Sequence, residues 1–170
     1  MLDKKVVKLL NDQVNKEMYS AYLYLDFSNY FKQAGLDGFA NWYEVQAKEE
    51  MDHAMLFVKY LQNNNVPVEL SAIAKPDVKL TDTMTVLKAG LKHEEYVTGL
   101  IHTIYAAAQK VGDFRTTQFL DWFVKEQGEE ETNANDMISK MELFGGDARA
   151  LYLLDSELKS RVYSAPSLVL

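Results

Sequence analysis

The 170-residue chain reads as an all-α protein: a four-helix bundle with a long crossover between its second and third helices and a short fifth C-terminal helix. Three observations predict this. Glycine and proline divide the chain into long uninterrupted segments, each segment carries an apolar stripe at steps of three and four residues, and the connections alternate short, long, short.

The first segment, Leu2 to Ala34, contains neither glycine nor proline and ends at Gly35-Leu36-Asp37-Gly38. Its stripe runs Leu10, Val14, Glu17, Ala21, Tyr24, Ser28, Phe31. The second, Phe39 to Val66, gives Phe39, Tyr43, Gln46, Glu50, His53, Phe57, Tyr60. From Asn63 to Thr81 the stripe disappears and Pro67 and Pro76 intervene, so this stretch reads as a connection. At ~3.3 Å per residue, about 18 residues can run the ~42 Å length of a 28-residue helix, which makes it the long crossover of one class of bundle.

The third segment, Asp82 to Val111, carries Met84, Leu87, Leu91, Glu94, Thr98, Ile101, Tyr105 and Ala108. The fourth, Phe114 to Phe144, carries Leu120, Phe123, Gln127, Glu130, Ala134, Met137, Met141 and Phe144. Seams of this period pack helices at small crossing angles. A fifth segment, Asp147 to Lys159, precedes the tail. Its leucines at 151, 154 and 158, with Tyr152 and Leu153 on other sides, are too apolar all round for a helix lying on a monomer. Asp3, Asp37, Asp82, Asp113 and Asp147 stand where N-caps are expected, and Gly35, Gly112 and Gly145 where helices should end. The whole chain, 1–170, is expected to be one domain: the bundle at about 4–144, the fifth helix at about 147–159, a tail at 160–170.

Charge limits the partners. Eighteen Lys and Arg against 25 Asp and Glu leave a net charge of -7, which argues against nucleic acid and against an anionic membrane surface. Without cysteine there is no disulfide framework, thiolate metal site or cysteine nucleophile. Neither a signal-peptide apolar region nor a membrane span is visible, so a soluble, cytoplasmic protein is expected.

Each stripe is interrupted once by polar residues, and at the same depth: Glu17, Glu50 with His53, Glu94, and Gln127 with Glu130 begin ~12–14 residues beyond the expected cap, the midpoint of a helix of ~28 residues. Midpoints of bundled helices meet, so four carboxylates, an imidazole and an amide should converge in the core. One polar residue on a seam is ordinarily a hydrogen-bonded core group. Four buried carboxylates cannot stay ionised without matching positive charge, and no Lys or Arg lies on any seam. Two divalent ions would neutralise them, and carboxylates with one imidazole and no thiolate suit iron or manganese better than structural zinc or calcium.

At these residues the sequence resembles the bacterial non-haem ferritins. Glu17, the Glu50-Met51-Asp52-His53 stretch, Glu94 and the Glu126-Gln127-Gly128-Glu129-Glu130 stretch look like the motifs of their ferroxidase centre, and the match extends from NDQVNKEMYSAYLY to ALYLLDSEL. The resemblance implies a ferritin-like fold, storage and detoxification of iron, and oxidation of Fe(II) to Fe(III) by O₂ or H₂O₂, with ferric oxide deposited inside a hollow homo-oligomer of about 24 subunits. One iron would be held by Glu17, Glu50 and His53; Glu50 would bridge to a second, held by Glu94 and Glu130; Gln127 would stand beside the centre, holding water or oxygen. Tyr24 would hydrogen-bond near the centre and supply an electron, though core packing accounts for it equally well on sequence alone. Trp122 is a second such aromatic, more ordinarily filler. Glu49, Glu126 and Glu129 would form a third iron site on the inner surface, where without a metal they are a solvated acidic face. The related bacterioferritins carry ExxH on the fourth helix where this chain has Gln127-x-x-Glu130, so haem is not expected although Met51 stands at the haem-ligand position of those relatives.

Two other readings share the residues. A di-iron oxygenase or peroxidase would use the same centre on an organic substrate, although the absence of cysteine excludes an appended rubredoxin-like domain. A metal-free helical interaction protein would leave the acids without a cation.

Overall fold

The computed structural model describes residues 2–170. Five helices follow in order: α1 (Lys4–Gln33), α2 (Asp37–Asn63), α3 (Thr83–Lys110), α4 (Phe114–Phe144) and α5 (Ala148–Leu158). There is no strand among the described residues. α1 packs along α2 and α3 along α4 as antiparallel hairpins, α1 also borders α3, and α5 closes one end against α2 and α4. Among the described residues, no helix is long and apolar enough to cross a membrane.

The helix boundaries follow from local chemistry. Asp3, Asp82, Asp113 and Asp147 accept from the backbone N–H groups of Lys5, Thr85, Thr116 and Ala150 at 2.8, 2.9, 3.1 and 2.8 Å. Gly35 and Gly112 take left-handed φ of 77° and 70° just past α1 and α3. Just past α2, Asn65 is also left-handed (φ 55°), with Val66 N–H returning to Leu61 O at 3.0 Å.

Gly145 caps the end of α4 as expected, with an ordinary helical φ of -69°. One cap expectation is corrected. Asp37 is the first residue of α2, not its cap, and it pairs with Lys32 at 2.7 Å. The cap comes from far along the chain: buried Asp155 of α5 accepts from Gly38 and Phe39 N–H at 2.7 and 3.1 Å. A Cβ on Gly38 would lie 1.7 Å from Asp155 O, so only glycine lets α5 dock there. Local sequence holds no sign of a partner more than a hundred residues away.

The α3 seam also turns from its expected line. Leu87, Glu94, Ile101 and Ala108 are buried as predicted, but Val86, Gly90, Val97 and Ile104 complete the face, while Met84, Leu91, Thr98 and Tyr105 are half-buried. Both rows satisfy the same spacing. Tyr43 decides between them: its hydroxyl would be 2.9 Å from a Cβ at position 90, so the helix turns Gly90 inward. At the far end of α4, Phe144 is exposed instead of buried.

The apolar core comes in two blocks. One joins Val6, Leu10, Phe57, Leu61, Ile101, Leu120 and Phe123 with their neighbours; the other joins Leu23, Phe27, Phe31, Phe39, Leu87 and Met137 with Leu154 and Leu158 of α5. Between them lies a polar layer at mid-height.

Candidate metal centre

Every seam acid arrives in that layer. Glu17, Glu50, His53, Glu94, Gln127 and Glu130 are all at least nine-tenths buried. Helical periodicity accounts for the convergence: each occupies an inward position that would otherwise hold a core apolar residue.

On the α1–α2 side, Glu17, Glu50 and His53 each offer a ligand atom within 4.8 Å of the others. His53 Nδ1 lies 3.4 Å from Glu50 Oε2, one turn apart on α2. Gln13, a turn before Glu17, donates to its Oε1 at 2.9 Å, while Glu17 Oε2 is buried with no hydrogen-bond partner. An orphaned carboxylate oxygen facing a second carboxylate and an imidazole is the donor set a divalent cation requires.

The α3–α4 side supplies the rest. Tyr24 O–H donates to Glu94 Oε1, and Gln127 Nε2 donates to Glu94 Oε2 at 3.1 Å, so Gln127 turns its amide nitrogen toward Glu94. Gln46 of α2 reaches across to Glu130 Oε2 at 2.6 Å. Beside Glu94 and Glu130 is a cavity of about 20 Å³ bounded by Tyr24, Trp42, Tyr43 and Gln46. It has room for a molecule the size of water or dioxygen.

The electrostatics record the strain of the metal-free layer. Burial, then the neighbouring Glu50, pushes Glu17 up to about 8. Burial and then Glu94 push Glu130 up to about 8 as well. Glu50 is held well above the ordinary carboxylate range by burial and then by Glu94 and Glu130, which places it electrostatically between the two halves. Glu94 is raised by burial, against the hydrogen bonds from Tyr24 and Gln127. Without a cation, burial favours the protonated form of each of these acids.

Flanking residues sort differently. Glu49 and Glu126 are half-buried on the α2–α4 face and Glu129 is exposed; Glu49 is paired with Arg161 at 2.5 Å and Glu129 with Lys125 at 3.0 Å. Glu17, Glu50 and His53 are the one group of converging acid and imidazole ligands among the described residues. Trp122 lies edge-on to His53, with ring centres 5.5 Å apart, and donates to Ser167 at 3.0 Å. His93, next to Glu94 in sequence, faces α1, where Ser20 Oγ lies 2.8 Å from its Nε2; burial, with help from Lys16, lowers its pKa to about 4.

Sequence reasoning missed three members of the layer. Gln13 and Gln46 each stand one turn before a seam acid, and that spacing was the available signal. Arg161 lies past α5 and carried no signal of its own.

A family model for the ferritin-like domain matches residues 7–144. The bacterial non-heme ferritin of Campylobacter jejuni is 38% identical over 160 residues, covering 94% of this chain and 96% of that protein. The corresponding Staphylococcus aureus protein is 32% identical over 163 residues, covering 96% and 98%. Among solved structures, a closed form of the Archaeoglobus fulgidus ferritin engineered by site-directed mutagenesis superposes with a TM-score of 0.94 at 40% identity, covering 96% of this chain and all of that one. The open-pore ferritin of the same archaeon superposes with a TM-score of 0.92 at 41% identity, covering 95% and 98%. With a matching fold, a family model over most of its length and an acid layer at mid-bundle, the chain belongs to the ferritin family.

Proposed function

We propose that this protein stores iron, oxidising Fe(II) to Fe(III) at a dinuclear ferroxidase centre and depositing ferric oxide inside a hollow shell. The carrying observation is the layer itself: four buried carboxyls and an imidazole at mid-bundle, with Glu17 Oε2 lacking any partner. In this reading one Fe(II) is taken by Glu17, Glu50 and His53 and a second by Glu94 and Glu130, with Glu50 between them.

The chain's residues have separable tasks. The carboxyls give up their protons as iron binds, and their gathered charge favours the trivalent product. Gln13 and Gln46 hold Glu17 and Glu130 by one oxygen each, leaving the other for an ion. Tyr24 and Gln127 hold Glu94, and Tyr24 stands as the electron donor nearest the centre. The small cavity supports O₂ or H₂O₂ as oxidant and leaves no room there for an organic substrate, which weighs against an oxygenase.

The shell is supported by apolar surface left open on one subunit. Tyr22, Leu25, Met51 and Ile73 border a groove of about 610 Å³ between α1, α2 and the crossover, and Tyr152 and Leu153 project from α5. We assign Met51 to subunit contact instead of haem, take 1–170 as one ferritin-like unit of a homo-oligomer of about 24 copies, and place it in the cytoplasm.

The test is aerobic Fe(II) loading of the assembled protein, following Fe(III) absorbance and iron retained. Wild-type protein should retain far more iron than its binding residues account for. Glu50→Ala or His53→Ala should slow the initial oxidation by about tenfold or more. Unchanged initial rates in both variants would refute the assignment.

A further inference from the structure

The chain past α5 runs along the α2–α4 face of the bundle. Asn41 Nδ2 donates to Leu158 O and Arg161 O at 3.2 and 3.0 Å, Tyr163 O–H donates to Asp52 Oδ2 at 2.5 Å, and Ser167 Oγ accepts from Trp122 Nε1 at 3.0 Å. Leu168 then packs against the core block beside Trp122. This strap carries one guanidinium to the edge of the acid layer.

The Arg161 guanidinium makes each of its hydrogen bonds there as a donor. Its Nη1 donates to Trp42 O at 3.2 Å and to Gln46 Oε1 at 2.8 Å, its Nη2 donates to Glu49 Oε2 at 2.5 Å, and its plane lies 4.0 Å from the Trp42 ring centre. A guanidinium has no acceptor, so the Gln46 atom facing it must be the amide oxygen. The amide nitrogen is thereby turned to Glu130 Oε2, 2.6 Å away. The flipped amide would set N–H₂ against the guanidinium and its oxygen against a carboxylate. With Oε2 so occupied, Oε1 is the oxygen that Glu130 presents to an ion.

We propose that Arg161 is a positioning residue for the metal centre and the resident cation of this face: it fixes Gln46 as the donor to Glu130, and it holds Glu49 in an ion pair where a third iron would otherwise bind. This rests on the two-ion reading above and departs from the third site that resemblance alone implies. Of the three acids expected there, Glu129 is also paired, with Lys125. Only Glu126 is left for a further ion.

Zn(II), which takes the same oxygen and nitrogen donors without redox chemistry, provides the test by calorimetric titration of the assembled protein. Wild type should bind two ions per subunit. R161K keeps the charge but lacks the planar fork whose two nitrogens span Trp42 O, Gln46 and Glu49, so it should still bind two, with the ion on Glu94 and Glu130 weakened about tenfold and the other unchanged. Gln46→Leu should weaken the same ion, and the double variant should be no weaker than either single one. R161Q should gain a third ion, lost again in R161Q with E126Q. A general loosening of the tail would affect both ions alike, and Tyr163→Phe, which frees the strap at another point, should leave both in place. Wild-type affinities in R161K, two ions only in R161Q, or a third wild-type ion removed by E49Q would each overturn the proposal. A wild-type protein that binds no ion would instead refute the two-ion reading.

Discussion

Replacing Glu17 by glutamine should stabilise the metal-free protein at alkaline pH while destroying half of its metal centre. Glu17 titrates near 4.5 in an ordinary setting and near 8 in the metal-free fold, where burial and then Glu50 oppose its charge. Because the folded value is the higher, its contribution to stability is fully present below 4.5 and is lost as pH rises through 8. From pH 5.5 to 7.5 the loss is about 2 kcal/mol per subunit, whereas glutamine, neutral throughout, loses nothing. Gln13 can still donate to the amide oxygen. Scanning calorimetry of both proteins after chelation should show Glu17→Gln gaining roughly 4–8 °C on wild type over that interval for a subunit of this size. With Zn(II) in excess the order should reverse, since only wild type has the orphaned oxygen to offer. Melting temperatures that run parallel across pH without metal would refute the claim that the layer is neutralised by protons.

Three further outcomes follow from the same geometry. Zn(II) binding at pH 6.5 should release about one proton each from Glu17 and Glu130, and at pH 9 the release from these two should largely vanish. Calorimetry in buffers of different ionisation enthalpy measures it, and a pH-independent count would contradict the raised values. Tyr24→Phe removes the O–H donated to Glu94; it should leave two ions bound but slow the oxidation of Fe(II), seen as a lower initial rate at unchanged Zn(II) stoichiometry. Asp155→Ala removes the cap of α2 and should cost about 1–2 kcal/mol by denaturant titration, with initial iron oxidation retained because the acid layer lies away from α5.

How much of this was legible in the chain depends on the distance over which each feature acts. Four caps were visible because an aspartate and the N–H groups it serves are three residues apart or fewer. The cap of α2 was misread for the converse reason: Asp155 lies past α4, and Asp37 stood in the expected place without making the contact. Seam acids were visible because a carboxylate on an apolar stripe violates the pattern, and four violations at one depth leave few explanations. Which of two equally spaced rows α3 turns inward was not visible, since spacing is blind to helix rotation and the packing of Gly90 against Tyr43 settles it. Gln13 and Gln46 were within reach, as amides one turn before seam acids. The third iron site came from the family resemblance; the structure pairs Glu49 and Glu129 with cations, and the one supplied by the tail had no signal in the local sequence.

The same physics explains why the layer is divided between oxygens that are satisfied and oxygens that are left open. Glu94 is held by Tyr24 and Gln127, and Glu130 by Gln46, whose direction is set by Arg161. Each such bond lowers the cost of a buried charge, and each also consumes a lone pair that a metal could use. Glu17, like Glu130, has one oxygen tied, but its other oxygen is fully buried without a partner. A layer in which every oxygen was satisfied by donors would be a stable polar core with little affinity for a cation; one with none satisfied would lack fixed geometry and lose more stability. Leaving an unsatisfied oxygen beside Glu50 and His53 puts the strongest unmet demand for positive charge on the α1–α2 side. The first ion should therefore settle on Glu17, Glu50 and His53, and the second on the better-satisfied Glu94 and Glu130.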